Sequence, residues 1–187
     1  PMLPVSPYGC SKLLAYRWAQ TYRKSYGMYI TCGLSFNHES PRRLETFVSR
    51  KITRSVAEIA CGLRQKVTLG SLSAQRDWSH AKDVVRGAWL ALQAEQPDDY
   101  VFATGITHSV QEFVELAFNY AGLDYNKYVQ SDPEMLRPID IHELCGNAEK
   151  AWRQLGWKPT VTFKELVREM VEADCAALIH HHSIAES

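Results

Sequence analysis

The sequence predicts an α/β fold, a region of alternating helices and strands followed by a mostly helical lobe. Two observations carry this. Up to about residue 104, apolar residues at helical spacing alternate with short β-type runs; beyond it, helical spacing prevails. A third observation is punctuation, because Gly27, Gly62, Gly122 and Gly156 each fall where a helical pattern stops.

The elements follow in order. Pro1 to Pro7 reads as loop, and Pro7 suits the first turn of a helix to about Tyr26, with Leu13, Leu14, Trp18 and Tyr22 as its apolar face. Residues 28–36 form a strand, and Asn37 to Arg43 read as a loop at its carboxyl end. A helix from Phe47 to Leu63 follows, then a short strand from Lys66 to Leu69 and a loop from Gly70 to His80. A helix over Ala81–Glu95 and a strand over Tyr100–Thr104 come next. Ser109 with Glu112 gives a capping box for a helix over 110–121, residues 123–146 look irregular, and Asn147 caps a short helix to Leu155. Thr162 with Glu165 opens a last helix to about Ile179, whose Phe163, Leu166, Val167, Met170 and Val171 share a face. His180–His182 read as a terminal tail rather than a metal site.

Composition narrows the function classes. Lysine plus arginine and aspartate plus glutamate number 21 each, so no general attraction to nucleic acid or membrane surfaces is expected, and any basic site must be local. No apolar run approaches the length of a membrane span, and no signal peptide is visible. The five cysteines form no C-x-x-C pair, which argues against structural zinc. Four lie in apolar stretches and are expected to act as small hydrophobes in a reducing cytoplasm.

The chemistry concentrates in two places. Asn37-His38-Glu39-Ser40-Pro41-Arg42-Arg43 gathers an amide, an imidazole, a carboxylate, a hydroxyl and two guanidiniums where a strand ends. Open α/β sheets bind ligands at such ends, and guanidinium forks match phosphate oxygens. Tyr8 and Lys12 stand one helical turn apart on one face. An ammonium held near a phenol favours the phenolate, which can then take a proton from a sugar hydroxyl. On spacing alone this Y-x-x-x-K pair is weak, since it recurs by chance. Lys51 as a solvated charge, Arg76-Asp77 as a plain surface ion pair, Trp78 as core and Asp83 as structural are the competing bland readings.

The run Ser6-Pro7-Tyr8-Gly9-Cys10-Ser11-Lys12 resembles the extended short-chain dehydrogenase/reductases. Phe36 to Arg43 resembles the signature of the GDP-mannose 4,6-dehydratase family, continued by Thr46 to Thr53, Arg76 to Asp83, Arg137-Pro138 and Leu155 to Pro159. The resemblance covers nearly the whole chain. It implies part of a Rossmann-like doubly wound sheet, the carboxyl-terminal part, plus a mostly helical substrate lobe. Residues 1–45 and about 81–108 would belong to an NADP-binding domain, and about 46–80 and 109–187 to the GDP-sugar lobe. Tyr8 would be the base, and Lys12 would position the nicotinamide ribose. His38 and Arg43 would contact NADP, while Asn37, Val48, Lys51, Arg76, Arg137 and Asp140 would line the GDP-sugar pocket. The implied partner is GDP-mannose, with no nucleic acid, membrane or metal involved, in a cytoplasmic homo-oligomer, dimer or tetramer.

Three departures accompany the resemblance. Leu44 stands where the family has glycine, and glycine alone takes positive φ cheaply, so a loop either reshaped or partly ordered by a neighbour is expected. Asp140 stands near Arg137 where the family has glutamate. The ten glycines contain no G-x-x-G-x-x-G, and the family's catalytic serine/threonine and glutamate would precede Pro1. The chain as given is therefore expected to be inactive alone. A GDP-sugar-binding fragment without turnover, or a related nucleotide-sugar epimerase or reductase, are the rival readings.

Overall fold

The computed structural model describes residues 2–135 and 142–185. Helix α1 runs Pro7–Tyr26. The Ser6 hydroxyl accepts the Gly9 N–H at 3.1 Å, Pro7 sits in the first turn, and Gly27 closes the helix in the left-handed region at φ 62°. The expected apolar stripe is present but uncovered: α1 has no buried residue, and Trp18 is 62% exposed. Polar bonds hold the helix instead. Tyr16 and Gln20 donate to Asp99 Oδ2 at 2.9 and 3.1 Å, and Arg23 pairs with Asp99.

Strands are short and mostly parallel. β1 (Cys32–Ser35) and β2 (Asn37–Glu39) are separated by Phe36 alone. Helix α2 (Val48–Ala60), β3 (Val67–Leu69), β4 (Gln75–Arg76), β5 (Trp78–His80) and helix α3 (Ala81–Gln93) follow. Then come β6 (Asp99–Phe102), β7 (His108–Ser109) and helix α4 (Val110–Tyr120). β1 pairs with β6 and β2 with β5, both parallel. β3 pairs in parallel with β8 (Val129–Ser131), and β4 lies between antiparallel β7 and parallel β9 (Glu143–Leu144). The remaining helices are α5 (Tyr125–Tyr128), α6 (Glu149–Leu155) and α7 (Phe163–Ala185).

The mixture of parallel strands and helices is the α/β class that the sequence predicts. Several boundaries differ. Asn37–Glu39 is a strand, not a loop, because β5 supplies its ladder partner, and the expected loop over 70–80 contains both β4 and β5. The stretch 123–146 expected to be irregular carries α5, β8 and β9. Asn147 lies one residue before the N-cap, Ala148, although its side chain still accepts the Glu149 N–H at 2.9 Å. Both capping boxes form as expected. Helix α7 continues past Ile179, so the backbone of the three histidines is helical. The cysteine expectation fails in part, for Cys10, Cys61 and Cys145 are exposed.

Two apolar clusters organise the packing. The larger joins α2, β3, α4 and α7 through Ile52, Val56, Leu69, Phe113, Phe118, Leu166 and Met170, with Trp78 among them. The smaller sits against β6, where Phe102 packs on Trp157 at 5.1 Å between ring centroids. Gly87 lets α3 approach this strand: a Cβ there would lie 2.5 Å from the Phe102 ring and 2.8 Å from the Trp157 indole nitrogen.

Asp83 ties α3 to the chain beyond α6. Its carboxylate accepts from Thr160 N at 2.8 Å, Thr160 Oγ1 at 2.6 Å and Val161 N at 3.1 Å. Burial opposes its charge, but these bonds and nearby Arg86 outweigh burial and hold the carboxyl below its ordinary range. An acid with a lowered folded pKa adds stability above its unfolded pKa and loses it as pH falls through the folded value. Asp83→Asn is therefore expected to cost about 1–3 kcal/mol at neutral pH. It should also flatten the decline toward acid, as measured by urea unfolding across pH. Equal stability of mutant and wild type at neutral pH contradicts this account.

Candidate functional site

A cavity of about 440 Å³ opens between β2, the turn that follows it, the start of α2 and the end of β3. Four segments bring Asn37, Arg43, Val48, Lys51 and Arg76 to its wall. These are five of the residues that the sequence picks out. Lys51 reaches in from α2 with its ammonium 2.7 Å from the Thr68 carbonyl, and Arg76 donates to the Gln75 carbonyl at 2.7 Å. Three cations on one wall suit a di-anionic group such as a diphosphate.

The strand character of β2 decides which residues share the wall. Side chains alternate across a strand, so Asn37 and Glu39 face the cavity while His38 points away. His38 Nδ1 lies 2.8 Å from the Phe36 carbonyl; that oxygen only accepts, so Nδ1 carries the proton. Tyr8 and Lys12 do not line the cavity either. They stand together on α1, with the Lys12 ammonium 5.3 Å from the centre of the Tyr8 ring and Tyr8 71% exposed. Arg137 and Asp140 lie outside the described residues.

The wall has a residue that the sequence reading does not single out. Glu39 is buried, with Ser49 Oγ donating to its Oε2 at 2.7 Å. Arg43 Nε stands 3.1 Å from the same oxygen, close enough for an ion pair but not aligned as a hydrogen bond. Burial pushes the Glu39 carboxyl up, and Ser49, Arg43 and His38 pull against it. The Arg43 guanidinium also lies over the Phe47 ring at 3.6 Å, a cation–π contact that orients it. Arg43 thus points inward, whereas Arg42 is exposed.

Leu44 does not distort the turn. It is exposed, and no described non-glycine residue has a positive φ, so the position makes no demand for glycine. The turn closes by Arg43 N–H to the Ser40 carbonyl at 2.9 Å and Phe47 N–H to the Leu44 carbonyl at 3.1 Å. Arg50 braces it from behind, donating to the Arg43 carbonyl at 3.0 Å and to the Pro41 carbonyl. Nor is Arg76-Asp77 a surface ion pair. Asp77 is fully buried and accepts from Thr104, Gly105 and Gly146 backbone N–H groups.

A larger cavity of about 670 Å³ lies beside α4 and the start of α7. Its lining is mainly apolar, and its charged side chains, Glu112, Glu115 and Lys164, are acidic on balance where a diphosphate needs cations. The smaller cavity is therefore the candidate site. Among the described residues no histidine, cysteine and carboxylate cluster could hold a metal, and no helix is long and apolar enough to cross a membrane.

Comparison with known proteins gives a consistent picture. The family described as GDP-mannose 4,6 dehydratase matches residues 1–170. "GDP-mannose 4,6 dehydratase 1" of Arabidopsis thaliana is 48% identical over 174 residues, covering 93% of this chain and 48% of its own. The human GDP-mannose 4,6 dehydratase is 45% identical over 191 residues, covering 93% and 51%. The chain thus spans about half the length of the curated relatives it matches. RMD from Pseudomonas aeruginosa, solved with NADPH, superposes with a TM-score of 0.86 at 22% identity, over 94% of this chain and 58% of that one. A dTDP-glucose 4,6-dehydratase from Bacillus anthracis, solved with NAD, gives 0.80 at 23%, over 92% and 53%. The fold is the Rossmann-like one shared with these two solved structures.

The Glu39–Arg43 contact makes the two adjacent arginines unequal. Arg43→Ala leaves a buried carboxylate without its cation and is expected to cost about 1–3 kcal/mol. Exposed Arg42→Ala should stay within about 0.5 kcal/mol of wild type. Chemical denaturation of the two variants checks this, and equal losses would show that Arg43 does not neutralise Glu39.

Proposed function

The chain belongs to the GDP-mannose 4,6-dehydratase family, and on that premise we propose that it supplies the GDP-sugar pocket and the proton-transfer pair of such an enzyme. The reaction is the conversion of GDP-mannose to GDP-4-keto-6-deoxymannose and water. The observation that carries this reading is the convergence of Asn37, Arg43, Lys51 and Arg76, from four separate segments, on one cavity. Lys51 and Arg76 bind the diphosphate, Asn37 and Val48 bound the sugar side, and Arg137 with Asp140 complete the pocket. Residues about 46–80 and 109–187 make the substrate lobe.

The cofactor is NADP, which when bound takes up a hydride from the sugar and returns it. Residues of this chain fit its nicotinamide-ribose side. Tyr8 and Lys12 present a phenol and an ammonium side by side on an open helix face. Through its Nδ1 proton, His38 is held to the Phe36 carbonyl on the strand face opposite the cavity, with its Nε2 edge left for the cofactor. Arg43 stands on the cavity wall rather than beside His38, so we assign its outer guanidinium nitrogens to the GDP phosphates. Tyr8 removes the proton from the C4 hydroxyl, and the Lys12 charge stabilises the phenolate that does so. We place the protein in the cytoplasm, consistent with five free thiols, and as a homo-oligomer, dimer or tetramer.

Two measurements test this. Calorimetric titration of the 187-residue chain should show binding of GDP-mannose in preference to UDP-glucose. Lys51→Ala should weaken it by about tenfold or more, the value of one charge-assisted bond. No binding, or no loss in Lys51→Ala, sinks the pocket assignment. Fused behind the amino-terminal half of the plant relative, the chain should turn over GDP-mannose. There Tyr8→Phe should lower kcat by about 10²–10⁴ while GDP-mannose affinity holds. An equal loss of affinity makes Tyr8 a binding residue instead.

A further inference from the structure

Asp174 lies on α7 and is fully buried, yet it does not touch the candidate cavity. It falls on the apolar stripe of its helix, four residues after Met170 and three after Val171. A buried ion pair gains little over well-packed apolar residues, so stability alone does not account for a carboxylate there. Its partners do. Arg50 Nε stands 2.9 and 3.0 Å from the two Asp174 oxygens, and Arg50 Nη2 stands 2.7 Å from one of them. Thr53 Oγ1 donates to the other at 2.7 Å. The guanidinium's remaining nitrogen, Nη1, is turned the opposite way, onto the carbonyls of Pro41 and Arg43.

We propose that Asp174 is a positioning residue for the cavity, acting through Arg50 to fix the backbone from which Arg43 projects. This rests on the reading of the cavity as the GDP site. A guanidinium is planar and rigid, so a carboxylate that captures one edge aims the other. The two carbonyls so captured flank Arg42 and set the departure of Arg43 toward Glu39 and the Phe47 ring. Arg50 itself does not line the cavity, so it acts on ligand only through the turn. A helix remote in sequence thereby sets the position of a phosphate-recognising cation. Helices α2 and α7 already pack through Ile52, Val56, Val167 and Met170, so the ion pair is not needed to join them.

The test compares Asp174→Asn, Arg50→Lys and Val167→Ala with wild type, all in the 187-residue chain. Amide hydrogen exchange reads the turn, and calorimetry with GDP reads the cavity. Asp174→Asn and Arg50→Lys, which keeps the charge but loses the fork, should speed exchange over residues 40–47, where the Arg43 and Phe47 amides close the turn. GDP affinity should fall by about 3–30-fold. In an Arg43→Ala background Asp174→Asn should add little further loss, because both act on one contact. Val167→Ala should lower the melting temperature without altering the turn's exchange. Unchanged exchange over 40–47 in Asp174→Asn and Arg50→Lys overturns the proposal, as does an equal effect in Val167→Ala. If wild type fails to bind GDP while Asp174→Asn still frees the turn, the brace stands and the nucleotide assignment falls.

Discussion

A carboxylate taken out of water must be met by donors, and of four buried carboxylates among the described residues three meet theirs in segments remote in sequence, while Glu39 meets its own within ten residues. Asp77 gathers the backbone N–H groups of Thr104, Gly105 and Gly146, and so fixes the turn after β6 against the start of α6. Asp83 gathers Thr160 and Val161, Asp174 gathers Arg50 and Thr53, and Glu39 gathers Ser49 and Arg43. Removing one partner of such a group leaves the other uncompensated, so each is a point of high mechanical demand. The short strands need this. None of the sheets has more than three strands among the described residues, and pairs that small hold little register by themselves.

What the sequence reveals divides along physical lines. Helices show plainly, since a 3.6-residue spacing with a cap at one end and glycine at the other is a local signal. Both capping boxes and the left-handed closures at Gly27 and Gly156 are where the pattern puts them. Strands of two or three residues do not show, because their identity depends on a partner dozens of positions away. Asn37–Glu39 looks like a polar loop until Trp78–His80 is laid beside it. The uncovered face of α1 is likewise invisible to spacing, which reports that a stripe is apolar but not what covers it.

The candidate site shows the same division. Residue types point to its cations, and a family resemblance implies roles for them. Neither gave the supports. Asp174 did leave a trace, an acid on an apolar stripe, which is a signal that a reader of sequences can use. Glu39 left a weaker one, because a carboxylate between a histidine and a serine looks like any polar residue in a loop. Its burial follows from β2 being a strand and could not be inferred without that.

The alternation of β2 has a consequence for chemistry. Neighbouring residues on a strand face opposite sides, so Asn37 and His38 cannot serve one ligand surface, although they adjoin in sequence. β1 runs into β2 through Phe36, whose N–H is bonded to the Phe102 carbonyl at 3.2 Å, so both faces are referenced to the β1–β6 pair. Asp99 begins β6 and also anchors α1, the helix that carries Tyr8 and Lys12. One strand pair therefore fixes the phenol on one element and the amide on another without direct contact between them. The Tyr8–Lys12 pair and the cation-lined wall accordingly occupy separate surfaces rather than a single cluster.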